Sequence, residues 1–155
     1  LAGLFSPDVL IAADVSHDYL AAPNISDKRM TPNAMGDGFT LAVGSIVNHQ
    51  LNSMYETVTK KENIPMQRKV VGRDTGTDAM ASVFASVDSA TTSIGFPIRN
   101  MHTISELGHT GDVLAAIHGT VALLKHLDQM NDGKGASADD FKKGHPRLDQ
   151  AKSLK

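Results

Sequence analysis

The apolar and polar positions of the chain alternate between two periods. Val9-Leu10-Ile11-Ala12-Ala13 is a continuous apolar run stopped by Asp14, which predicts a short strand buried on both faces. From Ser16 to Asp37 the pattern breaks. Pro23, Asn24, Asp27, Pro32, Asn33, Gly36 and Asp37 predict a long loop of the kind that covers a site. Phe39 to Val43 is the next strand candidate. Val47, Leu51, Met54, Tyr55 and Val58 then recur at steps of four, three, one and three, one apolar helix face with Glu56, Lys60, Lys61 and Glu62 on the polar side. Pro65 stops that helix, and Met66 to Val71 reads as a strand.

Thr75-Gly76-Thr77-Asp78 offers capping residues to a second amphipathic helix carried by Met80, Val83, Phe84 and Val87. Ala90 to Phe96 is a strand ended by Pro97. Val113, Leu114, Ile117, Val121 and Leu124 mark a last helix from Asp112 to Leu127, with Asp112 in the favourable first turn. Strands alternating with helices predict an α/β fold with a mostly parallel sheet flanked by helices. The boundary expected near residue 129 separates this unit, 1–129, from a polar C-terminal extension, 130–155, rich in Asn, Asp, Gly, Lys and Ser.

Composition narrows the chemistry. The 155 residues allow one ordinary domain. Cysteine is absent, which removes disulfides, thiolate metal ligands and a cysteine nucleophile together. The net charge of −2 supplies no field for nucleic acid or anionic lipid, and no apolar stretch is long enough to span a bilayer. Neither partner is expected. No signal-peptide pattern opens the chain, so the expected compartment is the cytoplasm. Seven histidines point toward metal or acid/base chemistry. Leu1-Ala2-Gly3-Leu4-Phe5 is an apolar start without Met, and it reads as the interior of a longer sheet.

Three clusters carry candidate chemistry. Ligands of parallel α/β sheets bind beyond the carboxyl ends of the strands. Asp14 and His102 both follow predicted strands, and carboxylate and imidazole are ordinary ligands of zinc and similar ions. Position alone favours a turn-capping aspartate and a hydrogen-bonded loop histidine. Asp74-Thr75-Gly76 matches the aspartic-protease tripeptide, whose two-chain form shares a proton between like carboxylates. That motif needs an all-β frame, whereas a helix pattern follows here. Gly36-Asp37-Gly38 lacks the third glycine of a dinucleotide loop, and no Gly-x-Ser-x-Gly elbow is present.

Several segments in series resemble a known family. They are Ala13-Asp14-Val15-Ser16, Gly36-Asp37-Gly38-Phe39-Thr40, Glu62-Asn63-Ile64-Pro65 and Gly76-Thr77-Asp78-Ala79. Gly95-Phe96-Pro97-Ile98-Arg99-Asn100-Met101-His102-Thr103-Ile104-Ser105-Glu106 follows, with Gly111-Asp112 beyond. The order resembles the C-terminal part of the catalytic domain of the tetrahedral aminopeptidases, dinuclear metallopeptidases of the endoglucanase-like or deblocking kind. Ser16-His17, Pro23-Asn24 and Met101-His102 are similar instead to the related aspartyl aminopeptidases. The resemblance covers roughly residues 1 to 128.

The resemblance implies a zinc-peptidase-like fold, a peptide substrate and two divalent ions (zinc, cobalt or manganese) that activate a water. It implies Asp14 as ligand of one metal and His102 as ligand of the other. Gly76, Thr77 and Asp78 would line the substrate cleft, with His17 near it. The family's first histidine ligand, bridging aspartate and Glu-Glu pair correspond to nothing from Leu1 onward, and Glu56, Glu62 and Glu106 do not replace them. The expectation is a chain with no general base, inactive alone and completed by an N-terminal half or a partner chain. It would work in a homo-oligomer as large as a dodecamer. Two further readings stay open: a non-catalytic scaffold or shell subunit of a large oligomer, and an aspartic protease dimer built on Asp74.

Overall fold

The computed structural model describes residues 7–21, 32–71 and 88–142. The helix expected over 75–87, and with it Asp74, Gly76, Thr77 and Asp78, lies outside the described residues. Five strands form one sheet: β1 (Val9–His17), β2 (Phe39–Val43), β3 (Met66–Val70), β4 (Ala90–Arg99) and β5 (Leu107–Gly108). Among the described residues two long helices accompany it, α1 (His49–Lys61) and α2 (Thr110–Asp128), with a single turn at Met130–Gly133 after them. The order across the sheet is β1-β4-β2-β3, with β5 beside β4. β1 runs parallel to β4 over nine residue pairs and β2 parallel to β3 over five. β2 and β5 meet β4 antiparallel over two pairs each. The sheet is thus mixed, with parallel pairing dominant, in an α/β architecture.

Both helices pack on one sheet face. Phe39, Leu41, Ile94 and Ala90 meet Leu51, Tyr55 and Val58 of α1 and Ala115, Ala116, Leu123 and Leu127 of α2. Gly119 makes the close approach of α2 possible: a Cβ there would stand 3.0 Å from Phe39 Cε1. Tyr55 is fully buried, its ring centroid 5.5 Å from that of Phe39. Its hydroxyl bonds the Thr120 hydroxyl at 2.7 Å, and burial pushes its pKa up to about 12.

Helix ends follow local chemistry. The Asn48 side chain accepts from the amides of Gln50 and Leu51, capping α1 one residue after Val47, where the expected apolar face begins. Asn63 ends α1 in the left-handed region at φ 54°. There the Ile64 amide bonds Thr59 O and the Asn63 amide bonds Lys60 O, a Schellman closure.

Two strands run beyond their expected ends. β1 continues through Asp14 to His17 because its backbone stays in register with β4, from Val9 opposite Ala90 to His17 opposite Ile98. β1 is also not buried on both faces; Ala13 and Asp14 are exposed. It is the outer strand among the described residues, so a polar side chain there costs little. β4 passes through Pro97 to Arg99. Ile98 O accepts from the Asp18 amide on the β1 side, so the nitrogen of Pro97 faces the other way. There the β2 pairing has ended at Gly95 and the β5 pairing starts at Ile98. No ladder donor is missed.

The described part of the polar extension folds back on the sheet. Asn131 and Asp132 adopt left-handed φ of 53° and 57°, reversing the chain after α2. A 3-10 turn, Ala138–Phe141, then opens with a Ser137–Asp140 capping box. Phe141 is buried. The Ala138 amide bonds Asp8 Oδ1 at 2.9 Å, and Lys142 Nζ donates to Asp88 Oδ2 at 2.7 Å.

Candidate functional site

Strand directions gather several segments at one edge of the sheet. β1 and β4 end there, and β2, antiparallel to β4, begins there together with β3. α2 also starts at this edge, because Asp112 in its first turn reaches the loop before β2. The Asp112 carboxylate is 1 % exposed. It accepts from the Gly36 amide at 2.8 Å and the Gly38 amide at 2.9 Å. Both glycines have φ near +100°, at 99° and 98°, a conformation open to glycine and strained for other residues. A Cβ at Gly38 would also meet Pro65 O at 2.3 Å.

Gln67 of β3 holds the same loop from the other side. Its side-chain amide donates to Ala34 O and Gly38 O at 2.9 and 2.8 Å and accepts from the Ala34 amide. At the end of β1, Asp18 is 2 % exposed and accepts from Arg99 Nε at 2.8 Å and from the Leu20 amide at 3.2 Å. This ion pair ties the exit of β1 to the exit of β4. The Tyr19 amide bonds Asn33 O at 2.9 Å, linking β1 to the β2 loop.

The expected site residues are distributed over this frame. His17 is the last residue of β1, half-buried, its ring 5.9 Å from that of Tyr19. His102 stands in the exposed loop after β4 at φ 66°. Its amide donates to Glu106 Oε1 at 2.8 Å, which pins the loop. Asp14 is not at a strand end. It pairs with Gly95, four residues and so about 13 Å short of Arg99 along the strand.

The Asp14 side chain lies on the sheet face away from α1 and α2, since Val9 and Ile11, on the alternate face, pack toward the core. A small cleft, with room of about 10 Å³, is lined there by Asp14, Thr40, Lys69, Ser93 and Gly95. Burial lowers the pKa of Lys69, and the Asp14 charge raises it in part. Gly95 is required at this point: a Cβ would stand 2.7 Å from Asp14 O and 3.1 Å from Thr40 Oγ1.

As donors, Asp14 and His102 suit a divalent ion. As a set they do not complete a site: among the described residues no group of three or more His, Asp or Glu is placed to hold one, where four ligands are usual. No step of chemistry is therefore assigned to a metal on these residues alone. Gly76, Thr77 and Asp78 lie outside the described residues. The mixed α/β sheet is not the all-β frame an aspartic-protease site on Asp74 needs. Among the described residues no helix is long and apolar enough to cross a membrane.

Sequence reasoning missed Asp18, Arg99 and Gln67, and it gave Asp112 only a helix-dipole role. Their partners lie 81, 33 and 76 residues away, which no local pattern reveals. The one local signal was a carboxylate directly after His17.

Comparison with known proteins fits this arrangement. The family model for M42 glutamyl aminopeptidases matches residues 1–118. The chain belongs to that family. A lysyl aminopeptidase of Pyrococcus furiosus is 36% identical over 125 residues, covering 81% of this chain and 35% of the relative. A TET aminopeptidase from the marine sediment archaeon Thaumarchaeota archaeon SCGC AB-539-E09 shares the fold. Its TM-score is 0.72 at 24% identity, over 90% of this chain and 37% of that one. PhTET1-12s, a structure with a dodecamer in the asymmetric unit, aligns with a TM-score of 0.60 at 22% identity, over 79% of this chain and 35% of that one. The M42 chain thus spans about a third of the length of these relatives.

Proposed function

We propose that the chain forms part of the catalytic domain of a metal-dependent aminopeptidase that removes N-terminal residues from peptides. The observation that carries this reading is the M42 match over residues 1–118, which includes the strand exits and loops gathered at one sheet edge. In this reading Asp14 and His102 each give one ligand to one of two divalent ions, zinc, cobalt or manganese. Such a pair, when bound, polarises the scissile carbonyl and acidifies the attacking water. His17 and the segment Gly76, Thr77, Asp78 border the substrate. The ion pair of buried Asp18 with exposed Arg99 and the Asp112 clamp on Gly36 and Gly38 hold that edge in shape.

The general base and remaining ligands come from protein equivalent to the other two thirds of the relatives, in the same or a partner polypeptide. The enzyme works as a homo-oligomer, in line with the dodecamer among its structural neighbours, and in the cytoplasm. The test is metal analysis of the chain assembled with that complement, beside the 155 residues alone. Two ions per assembled chain are expected, with one lost in Asp14→Asn and one in His102→Ala, while the isolated chain binds neither tightly. Two ions retained in both variants would remove the site assignment. A non-catalytic scaffold subunit is the second reading, in line with the incomplete ligand set among the described residues; an assembly that binds no metal and releases no amino acid would establish it instead.

A further inference from the structure

A row of three residues crosses the sheet at Asp14. Gly95 of β4 pairs with Asp14 of β1 on one side and with Thr40 of β2 on the other. Paired residues share a sheet face, so Asp14 and Thr40 stand two strand spacings apart, about 10 Å, with only backbone between them. Ser93, two residues before Gly95, and Lys69 of β3 border the same cleft. Its room of about 10 Å³ is that of one water molecule. A side chain entering from elsewhere needs more.

The polar groups around that room are not bonded to one another. The Val15 amide donates to Asp14 Oδ1 at 2.7 Å. Among the described residues Asp14 Oδ2, Thr40 Oγ1, Ser93 Oγ and Lys69 Nζ make no hydrogen bond. Yet Thr40 is 1 % exposed and Ser93 6 %, and hydroxyls so far from bulk solvent call for a partner. The charge of Asp14 acts on Lys69 although no ion pair joins them, a separation that suits a bridging water. The lining also selects the ligand. The Lys69 ammonium only donates and the Asp14 carboxylate only accepts. A metal ion is repelled by the first and an anion by the second, whereas water serves both.

We propose that one ordered water is held in this cleft by Thr40, Ser93, Lys69 and Asp14, and that Thr40 thereby acts as a positioning residue for the Asp14 carboxylate. Partners of this kind fix the orientation of a metal-ligating group. The positioning role rests on the reading of Asp14 as a metal ligand; the water does not. Gly95 leaves the water its place, since a Cβ there would stand 3.1 Å from Thr40 Oγ1.

Two variants separate the hydroxyl from the packing. Thr40→Val keeps the branched shape and removes the hydroxyl, and Thr40→Ser does the reverse. Both are made in the chain assembled with the rest of the enzyme, with Asp14→Asn alongside, and chelator competition reads the affinity for zinc. Thr40→Val should weaken the ion held by Asp14 about tenfold, while Thr40→Ser stays within about threefold of wild type in spite of a lower Tm. Crystal structures of wild type and Thr40→Ser should show the water bonded to the hydroxyl at position 40, and Thr40→Val should lack it. Equal weakening in both variants would make packing the cause and overturn the positioning role. Unchanged affinity in Thr40→Val, with the ion lost in Asp14→Asn, would overturn that role and leave the metal reading intact. An ion retained in Asp14→Asn would end the metal reading and the role built on it together. A cleft filled by a side chain from the rest of the enzyme, or without density, would overturn the water itself.

Discussion

Replacing Asp112 with alanine removes the side chain that ties the start of α2 to the loop before β2. Two backbone amides lose their acceptor. The Gly38 amide is buried with its bond to Asp112 Oδ1, so water does not replace the carboxylate, and a charge-assisted bond of this kind is worth about 1.5–3 kcal/mol. The Gly36 amide is nearer solvent and loses about 0.5–1.5 kcal/mol because water takes over part of the bond. Loss of a negative charge in the first turn of α2 adds about 0.5 kcal/mol. The total is about 2.5–5 kcal/mol out of the 5–15 kcal/mol typical of a domain, or roughly 5–20 °C in Tm. Asp112→Asn keeps one acceptor but turns an amide NH₂ toward a backbone N–H, so about half of the loss is expected. Urea unfolding gives the stability change, and amide exchange at Gly36 and Gly38 shows whether the loop is released locally. Asp37→Asn in the same exposed turn is the control and should stay within about 0.5 kcal/mol. A stability of Asp112→Ala within that same margin, at unchanged m-value, would refute the clamp.

Other consequences follow from single contacts. Tyr55 is held neutral by burial with a pKa of about 12, above its unfolded value near 10. Its contribution is therefore complete below about pH 10 and is lost as pH rises toward 12; the stability difference between wild type and Tyr55→Phe should shrink over that window, and a difference independent of pH would contradict it. Gly95→Ala drives a Cβ against the backbone oxygen of Asp14 and should cost about 3 kcal/mol by thermal unfolding; a neutral result would mean that β1 and β4 separate easily. Phe141→Ala should cost about 3 kcal/mol and release residues 130–142 to fast hydrogen exchange, and exchange unchanged there would show that Phe141 is not what fastens the segment.

The elements carrying one apolar face were legible in the sequence. The strand expected over Phe39 to Val43 has those bounds, β3 ends one residue earlier than expected, and α2 extends only two residues before and one beyond Asp112 to Leu127. In these segments local periodicity and burial coincide. The pattern failed where pairing overrides side-chain polarity. Asp14 continues β1 because β4 satisfies its backbone, and Pro97 stays inside β4 because no ladder donor is needed on its free side. Residues 130–142 show no apolar period because a single aromatic residue, Phe141, anchors them in an otherwise hydrophilic run. At the sheet edge, residue types were visible but pairings were not. Asp18 with Arg99 and Asp112 with Gly36 and Gly38 arise only when strands far apart in sequence meet.

The central claim is that these residues are part of an aminopeptidase active domain rather than an inert fold. Its most direct measurement follows release of the N-terminal amino acid from short peptides by mass spectrometry, with divalent metal present. The predicted result is release by the chain assembled with the remaining length of an M42 enzyme, and none by the 155 residues alone. An assembled, metal-loaded enzyme that leaves every peptide intact, or the isolated chain turning over unaided, would contradict the account.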